Sequence, residues 1–148
     1  MKIAVVSGGF DPIHSGHIKY MESARKLADS LVVGLNSDSW LIRKKGKFFL
    51  PFSERKTIVE SIKFVSEATD FNDDDDSAAN LIEKVVKIYG SGNEILFCNG
   101  GDRKNDTPQS SKEHAVAQKH YNVFFVYGVG GTDKKNSSSW ILNRWLNE

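Results

Sequence analysis

The sequence predicts an α/β fold, a doubly wound five-stranded parallel sheet with helices on both faces. Three observations carry this expectation. Five short apolar runs rich in β-branched residues lie at 2–7, 31–35, 64–69, 94–98 and 123–127. Stretches with helical apolar spacing separate them, so strands and helices alternate. The runs are almost continuously apolar, as expected of strands covered on both faces and joined by right-handed βαβ crossovers.

The elements follow in order. After the strand at 2–7 comes "GGFDPIHSGH", residues 8–17. Gly8 and Gly9 permit a tight turn and a backbone that approaches a ligand without Cβ obstruction, and Pro12 ends the strand and shapes the entry to a helix. Ile18, Met21, Ala24, Leu27 and Ala28 mark that helix. Beyond the strand at 31–35 lies Asn36-Ser37-Asp38, and the plainest reading of the basic stretch at 43–47 is a solvated loop. In Pro51-Phe52-Ser53-Glu54, Ser53 is the expected N-cap and Glu54 the acid of the first turn; Ile58, Ile62 and Val65 continue that helix. The four carboxylates at 73–76 repel one another and read as a solvated turn capping a helix that begins near Ser77, with a divalent-metal site as the sharper alternative. Leu81, Val85 and Ile88 give the next helix, and Gly90-Ser91-Gly92-Asn93 breaks the chain before the fourth strand. A helix at 110–120, the fifth strand and a last helix at 137–146, with Ile141, Leu142 and Trp145 as its apolar side, complete the series. With no repeat and no long linker, residues 1–148 read as one domain.

Composition bounds the function. At 148 residues, 39% hydrophobic and 26% charged, the chain can bury a real core. Its net charge of +1, from 20 basic and 19 acidic side chains, gives no global case for binding nucleic acid or membrane. An anionic ligand must be met locally. The single cysteine, Cys98, lies in a strand run, which excludes an internal disulfide and a cysteine-based zinc cluster. No run approaches a membrane span, and Met1-Lys2 leads into a strand-sized run instead of a signal-peptide core, so a cytoplasmic location is expected.

In an open parallel sheet, ligands collect outside the carboxyl ends of the strands, where the strand order reverses. "GGFDPIHSGH" occupies such an end. The helix that follows offers amides to a phosphate, and His14 and His17, three residues apart, would share a face of its first turn. The plainer reading makes them ordinary polar residues at a helix start, and a metal site lacks a third ligand nearby.

The whole string resembles the signature of the HxGH nucleotidylyltransferase superfamily: a glycine-containing turn, Phe-Asp, then His-x-Gly-His, here Gly8, Gly9, Phe10, Asp11 and His14-Ser15-Gly16-His17. The resemblance implies a Rossmann-like nucleotidylyltransferase fold. It also implies histidines that stabilise charge on a triphosphate while a phosphate oxygen of the second substrate attacks the α-phosphate. That chemistry needs positioning and positive donors more than a protein nucleophile. A histidine touching phosphate is expected to be protonated, Gly16 to allow close approach, and magnesium to be held mainly by substrate phosphates and water.

The resemblance extends along the chain. In "NSDSWLIRKKGKFFLPFSERK" the superfamily's sugar-phosphate and polyol-phosphate members have an Asp, a lysine six or seven residues on and a later Glu/His-Arg. These map onto Asp38 and Arg55 as substrate-binding residues and onto Lys44 or Lys45, with Lys44 preferred for the phosphates. Trp40, Phe48, Phe49 and Phe52 read as packing or dimer-contact residues. "FCNGGDRKN" is similar to a Gly-Gly-Asp loop lining the nucleotide pocket, hence Gly100, Gly101 and Asp102. "KKNSSSWIL" is similar to a serine motif opening the last helix, hence Ser137, Ser138 and Ser139 at the outer phosphates. Relatives place an arginine before that motif where this chain has Thr132; Lys134 or Lys135 could replace its charge but not its two-pronged geometry.

Taken as a whole, the run from 14 through 38 to 102 looks most like adenylyltransferase domains acting on heptose 1-phosphate. Cytidylyltransferases of glycerol 3-phosphate are similar over almost the same region. The expectation is nucleotidylyl transfer from ATP to a small phosphorylated sugar, with CTP and a polyol phosphate as the alternative and a silent nucleotide-binding module as the rival of another class. A homodimer is implied by the resemblance alone. A dinucleotide-dependent oxidoreductase is disfavoured because the first turn lacks GxGxxG.

Overall fold

β1 (Lys2–Gly8) pairs in parallel with β2 (Ser30–Leu35) on one side and β4 (Glu94–Gly100) on the other. β3 (Glu67–Thr69) extends the sheet beyond β2, and β5 (Val123–Val129) beyond β4, giving the order β3-β2-β1-β4-β5. The computed structural model describes residues 1–100, 108–131 and 137–147. The crossovers run through α1 (Ser15–Lys26), α2 (Asp38–Lys45) with α3 (Phe52–Glu60), α4 (Ala79–Tyr89) and α5 (Pro108–Ala117), and α6 (Ser138–Asn147) follows β5.

Alternate residues of β1 enter different cores, as the two-residue period of a strand requires. Ala4 and Val6 pack with Met21, Ala24 and Val59, from α1 and α3. Ile3 and Val5 pack with Leu81, Ile82 and Val85 of α4. The sheet is thus covered on both faces, which is why its strands read as continuous apolar runs. Cys98 is buried in the first of these cores, and burial pushes its thiol up to about 11, so it stays a thiol at neutral pH.

Several local expectations are corrected. Residues 38–45 after β2 form a helix, α2, that the sequence reading did not mark, and the solvated loop weighed for 43–47 begins as its last turn. Ser37 caps it by accepting from the Trp40 amide at 3.0 Å, and Gly46 ends it in the left-handed region at φ 89°. Only Leu41 of α2 is buried, so its apolar pattern carries no helical period, although its cap and its basic last turn are both written in the sequence. Pro51, not Ser53, is the N-cap of α3. β3 is three residues long; Val65, expected in that strand, instead donates to the Ile62 carbonyl in the turn before it and packs against the core. α4 starts at Ala79, and its capping position, Ala78, has no side chain to cap with. Glu113 of α5 takes the Ala78 amide instead, at 3.1 Å. On α6, Trp145 is 70% exposed, so the expected apolar side does not face the core there. Among the described residues no helix is long and apolar enough to cross a membrane.

Candidate active site

Where β1 ends, the strand order reverses: the chain passes to β2 on one side and to β4 on the other. The crevice outside these carboxyl ends is where such sheets take ligands. The ladder runs into it, with the Asn36 amide donating to the Gly8 carbonyl at 2.9 Å. The positive-φ residue of the turn is Phe10, at 51°, and not a glycine. A Cβ on Gly8 would lie 2.9 Å from the Phe10 ring, and one on Gly9 would lie 2.9 Å from Leu41. Both glycines therefore also answer to internal packing, a demand on these positions that the sequence reading did not include.

Phe10 and Asp11 are scaffold as well. Phe10 is buried and meets the edge of His17 with ring centroids 5.0 Å apart. The Asp11 carboxylate is buried and accepts from the amides of Phe49 and Leu50 at 2.6 and 2.7 Å, which uses it to pin the α2–α3 loop. Neither side chain is offered to a nucleotide.

His14 and His17 do share a face. Their rings stack at 3.8 Å between centroids, inclined by 25°. The three-residue spacing is also a capping box: His14 Nδ1 accepts from the Gly16 amide at 3.0 Å, and His17 Nδ1 accepts from the His14 amide at 3.3 Å. Because Nδ1 accepts in both rings, the neutral form of each carries its proton on Nε2, the nitrogen farther from the backbone. The helix start thereby fixes the tautomer that presents two N–H donors. Of the amides at the helix start, that of Gly16 is taken by His14. Burial, then the neighbouring His14 and Lys45, lower the His17 pKa to about 3. His17 is therefore neutral in this protein at pH 7, and it can donate without a positive charge.

Lys45 completes this cluster. Its Nζ donates to the Asp11 carbonyl at 3.3 Å. Desolvation lowers its pKa most, Lys44 and Arg55 add to that, and Asp11 opposes it. From the far end of the chain, Ser138 is buried and its Oγ donates to the Pro12 carbonyl at 2.7 Å, tying the start of α6 to the histidine turn. Ser137 Oγ caps α6 by accepting from the Trp140 amide at 3.0 Å, and Ser139 is exposed. Gly100 ends β4 at the same edge, and among the described residues nothing lies within 4 Å of where its Cβ would stand. Gly101, Asp102, Thr132, Lys134 and Lys135 lie outside the described residues.

Arg55 is corrected outright. Its side chain is 0% exposed, so it cannot touch a substrate. Its Nε donates to Leu50 O at 3.0 Å, its Nη1 to Gly9 O at 2.9 Å and Asn36 O at 2.7 Å, and its Nη2 to Asp38 Oδ1 at 2.7 Å. It joins the glycine turn, the end of β2, the start of α2 and the loop before α3. Asp38 is its ion-pair partner.

Lys44 stands apart from the histidines. Its Nζ lies 4.8 Å from the centre of the Trp40 ring. Both residues line a cleft of about 550 Å³ whose other walls include Gly8, Asn36 and Glu113. Phe52 packs on the core as expected, whereas Phe49 is half exposed and Trp40 faces the cleft.

Asp73 is a residue that the sequence reading misplaced. It is buried, not solvated: Oδ2 accepts from the Asn36 amide group at 3.1 Å and the Ser37 backbone at 2.8 Å, and Oδ1 accepts from Ser37 Oγ at 2.8 Å. Arg43 donates to the Asp73 carbonyl and pairs with Asp76 at 3.1 Å. The acidic run therefore clamps α2. The alternative metal reading fails on the same ground, and among the described residues no group of three His, Cys, Asp or Glu could hold a metal ion.

A family model described as cytidylyltransferase-like matches residues 5–129. The chain belongs to the cytidylyltransferase-like family. Within it, the chain is 31% identical over 94 residues to a glycerol-3-phosphate cytidylyltransferase from Bacillus subtilis, a match covering 64% of this chain and 73% of that one. It is 40% identical over 104 residues to the bifunctional protein HldE from Campylobacter concisus, covering 64% of this chain and 21% of HldE. The HldE from Proteus mirabilis is 34% identical over 92% of this chain and 27% of its own length. The chain thus spans about a quarter of these bifunctional relatives. In fold, it is similar to the lipopolysaccharide core biosynthesis protein from Thermoplasma volcanium, with TM-score 0.65 and 23% identity over 86% of this chain and 95% of that one. The stretch matched to the cytidylyltransferase-like family begins inside β1 and ends with β5, so it contains the histidine turn, the lysine pair and the Asp73 clamp.

Proposed function

We propose that this chain transfers a nucleotidylyl group from a nucleoside triphosphate, ATP preferred, to the phosphate of a small phosphorylated sugar. One observation carries the reading: in a cytidylyltransferase-like chain, both histidines, Lys45 and the start of α6 gather at one turn outside β1. An oxygen of the acceptor's phosphate attacks the α-phosphorus. The new O–P bond forms as the bond from that phosphorus to the bridging oxygen breaks, and pyrophosphate leaves with its electron pair. No protein nucleophile is needed; His14 and His17 donate from Nε2, and Lys45 supplies positive charge where the phosphate oxygens gain negative charge. A triphosphate bound next to His17 raises its pKa from the low value that burial gives it. Magnesium would arrive on the triphosphate, there being no protein cage for it among the described residues, and would neutralise part of its charge.

The preference for ATP and a sugar phosphate rests on the resemblance of the run from 14 to 102 to heptose 1-phosphate adenylyltransferase domains. CTP with glycerol 3-phosphate is the second reading, supported by a relative of that name whose length is matched to 73%. The test is pyrophosphate release with ATP and with CTP over a panel of sugar and polyol phosphates. Turnover that falls about 10²–10⁴-fold in His14→Ala and in His17→Ala, with the fold intact by circular dichroism, is the expected result. Nucleotide binding without turnover over the whole panel would instead make the chain a silent binding module.

A further inference from the structure

Two adjacent lysines on one helix point about 100° apart, so they cannot serve the same phosphate in the same way. The contacts of Lys44 and Lys45 show where each one goes. Lys45 turns toward the histidines: its Nζ rests on the Asp11 carbonyl, three residues before His14. Lys44 instead lies against the Trp40 face and lines the cleft.

That cleft has the chemistry of a second substrate site. At about 550 Å³ it is large enough for a small sugar or polyol phosphate. Of the cations among its described lining residues, Arg43 is paired with Asp76, whereas Lys44 lies against an aromatic ring, a weak attraction where water reaches it. A phosphate dianion draws such a lysine off the ring. The carboxylate of Glu113 and the carboxamide of Asn36 border the same space and suit hydroxyl groups. Both are buried and held in place, Glu113 by the Ala78 amide and Asn36 by Asp73, so they are preorganised. Gly8 borders the cleft and opens the histidine turn, which puts a phosphate seated at Lys44 beside the reacting triphosphate.

We infer that the two lysines are divided between the substrates: Lys45 holds the triphosphate of the donor, and Lys44 seats the phosphate of a polyhydroxylated acceptor in the Trp40–Glu113 cleft. The inference rests on the nucleotidylyl-transfer reading and makes it more specific, and it reverses the sequence-based preference for Lys44 at the triphosphate.

Trp40 provides a readout independent of turnover. Glycerol 3-phosphate and glucose 1-phosphate are titrated into the full chain while tryptophan emission is followed. The signal is expected to survive in Trp140→Phe and Trp145→Phe and to vanish in Trp40→Phe. Lys44→Met should weaken ester binding at least tenfold while leaving ATP and CTP affinity, measured by calorimetry, within twofold. Lys45→Met should do the reverse. An emission change with neither ester, or nucleotide affinity lost in Lys44→Met with ester binding kept, overturns the division. Pyrophosphate release by the wild-type chain in the same experiment separates the two failures: turnover with the wrong lysine pattern sinks only the division, whereas nucleotide binding with no turnover sinks the transfer reading.

Discussion

His17 shows how one side chain serves two demands. Its Nδ1 completes the capping box of α1 and its ring packs against Phe10, so burial strips it of charge. The consequence is a pH dependence whose sign can be worked out. An unfolded histidine titrates near 6.5 and the native one near 3, so above pH 6.5 both are neutral and stability is full. Below 6.5 the unfolded chain binds a proton that the native chain does not, and by about pH 3 His17 has removed on the order of 2–5 kcal/mol. Urea unfolding at a series of pH values should show this slope, and His17→Gln should flatten it whatever its effect at pH 7. Arg55 is the second case. With its side chain wholly buried and four acceptors around it, Arg55→Met leaves the Gly9, Asn36 and Leu50 carbonyls and the Asp38 carboxylate without their donor. A loss of about 2–4 kcal/mol in the urea midpoint analysis is expected. Arg55→Lys should recover little of it, because an ammonium cannot reproduce the planar fork.

Among the elements, α2 has the least core of its own and the most to position. Leu41 alone is buried, so the helix is held by polar ties to the loop before α4: Asp73 to Ser37 and Asn36, and Arg43 to Asp73 and Asp76. Asp73→Asn replaces an acceptor of three hydrogen bonds by a group that is half donor. We expect it to destabilise the chain by about 1–3 kcal/mol and to lower turnover, since both lysines ride on α2. Ser37→Ala, which loses the cap and one of those bonds, should be the milder variant, at about 0.5–2 kcal/mol. Equal stability of Asp73→Asn and the wild-type chain in denaturant would remove the clamp from this account. The β2–α4 contact is tight in another way: a Cβ on Gly34 would lie 2.4 Å from Leu81 Cδ2. Gly34→Ala should lower stability by about 1–3 kcal/mol through overpacking, with part of that recovered in the double variant carrying Leu81→Val.

At the scale of the whole molecule, the order β3-β2-β1-β4-β5 brings the first and last motifs together although they are far apart in the chain. Ser138 reaches Pro12 across 126 residues. A Cβ on Gly130, just past β5, would lie 3.3 Å from the Tyr20 Cα on α1, and Tyr20 itself donates to the Cys98 carbonyl at 2.6 Å. A nucleotide bound at this junction bridges elements from both ends of the chain, so it should stabilise the entire fold. At a concentration one hundred times its Kd the gain is about 2.7 kcal/mol, a thermal shift of several degrees. Comparing ATP with CTP at equal concentration then ranks the two donors, and a shift with neither would count against the site.

Much of the fold was legible because it is local: the five apolar runs and the helical spacings record which residues face a core, and a sheet covered on both faces leaves that record unbroken. The shared face of His14 and His17 was legible for the same reason, since residues three apart meet on one face of a helical turn. What the sequence alone could not decide are the properties that depend on partners distant in the chain. Whether an aspartate in an acidic run is solvated or buried depends on donors 36 residues away, as for Asp73 and Ser37. Whether an arginine meets substrate or scaffold depends on which carbonyls surround it, as for Arg55. Which of two neighbouring lysines faces the histidines depends on the rotation of α2 about its axis, and that rotation is set by tertiary ties to Asp73, Asp76 and Arg55.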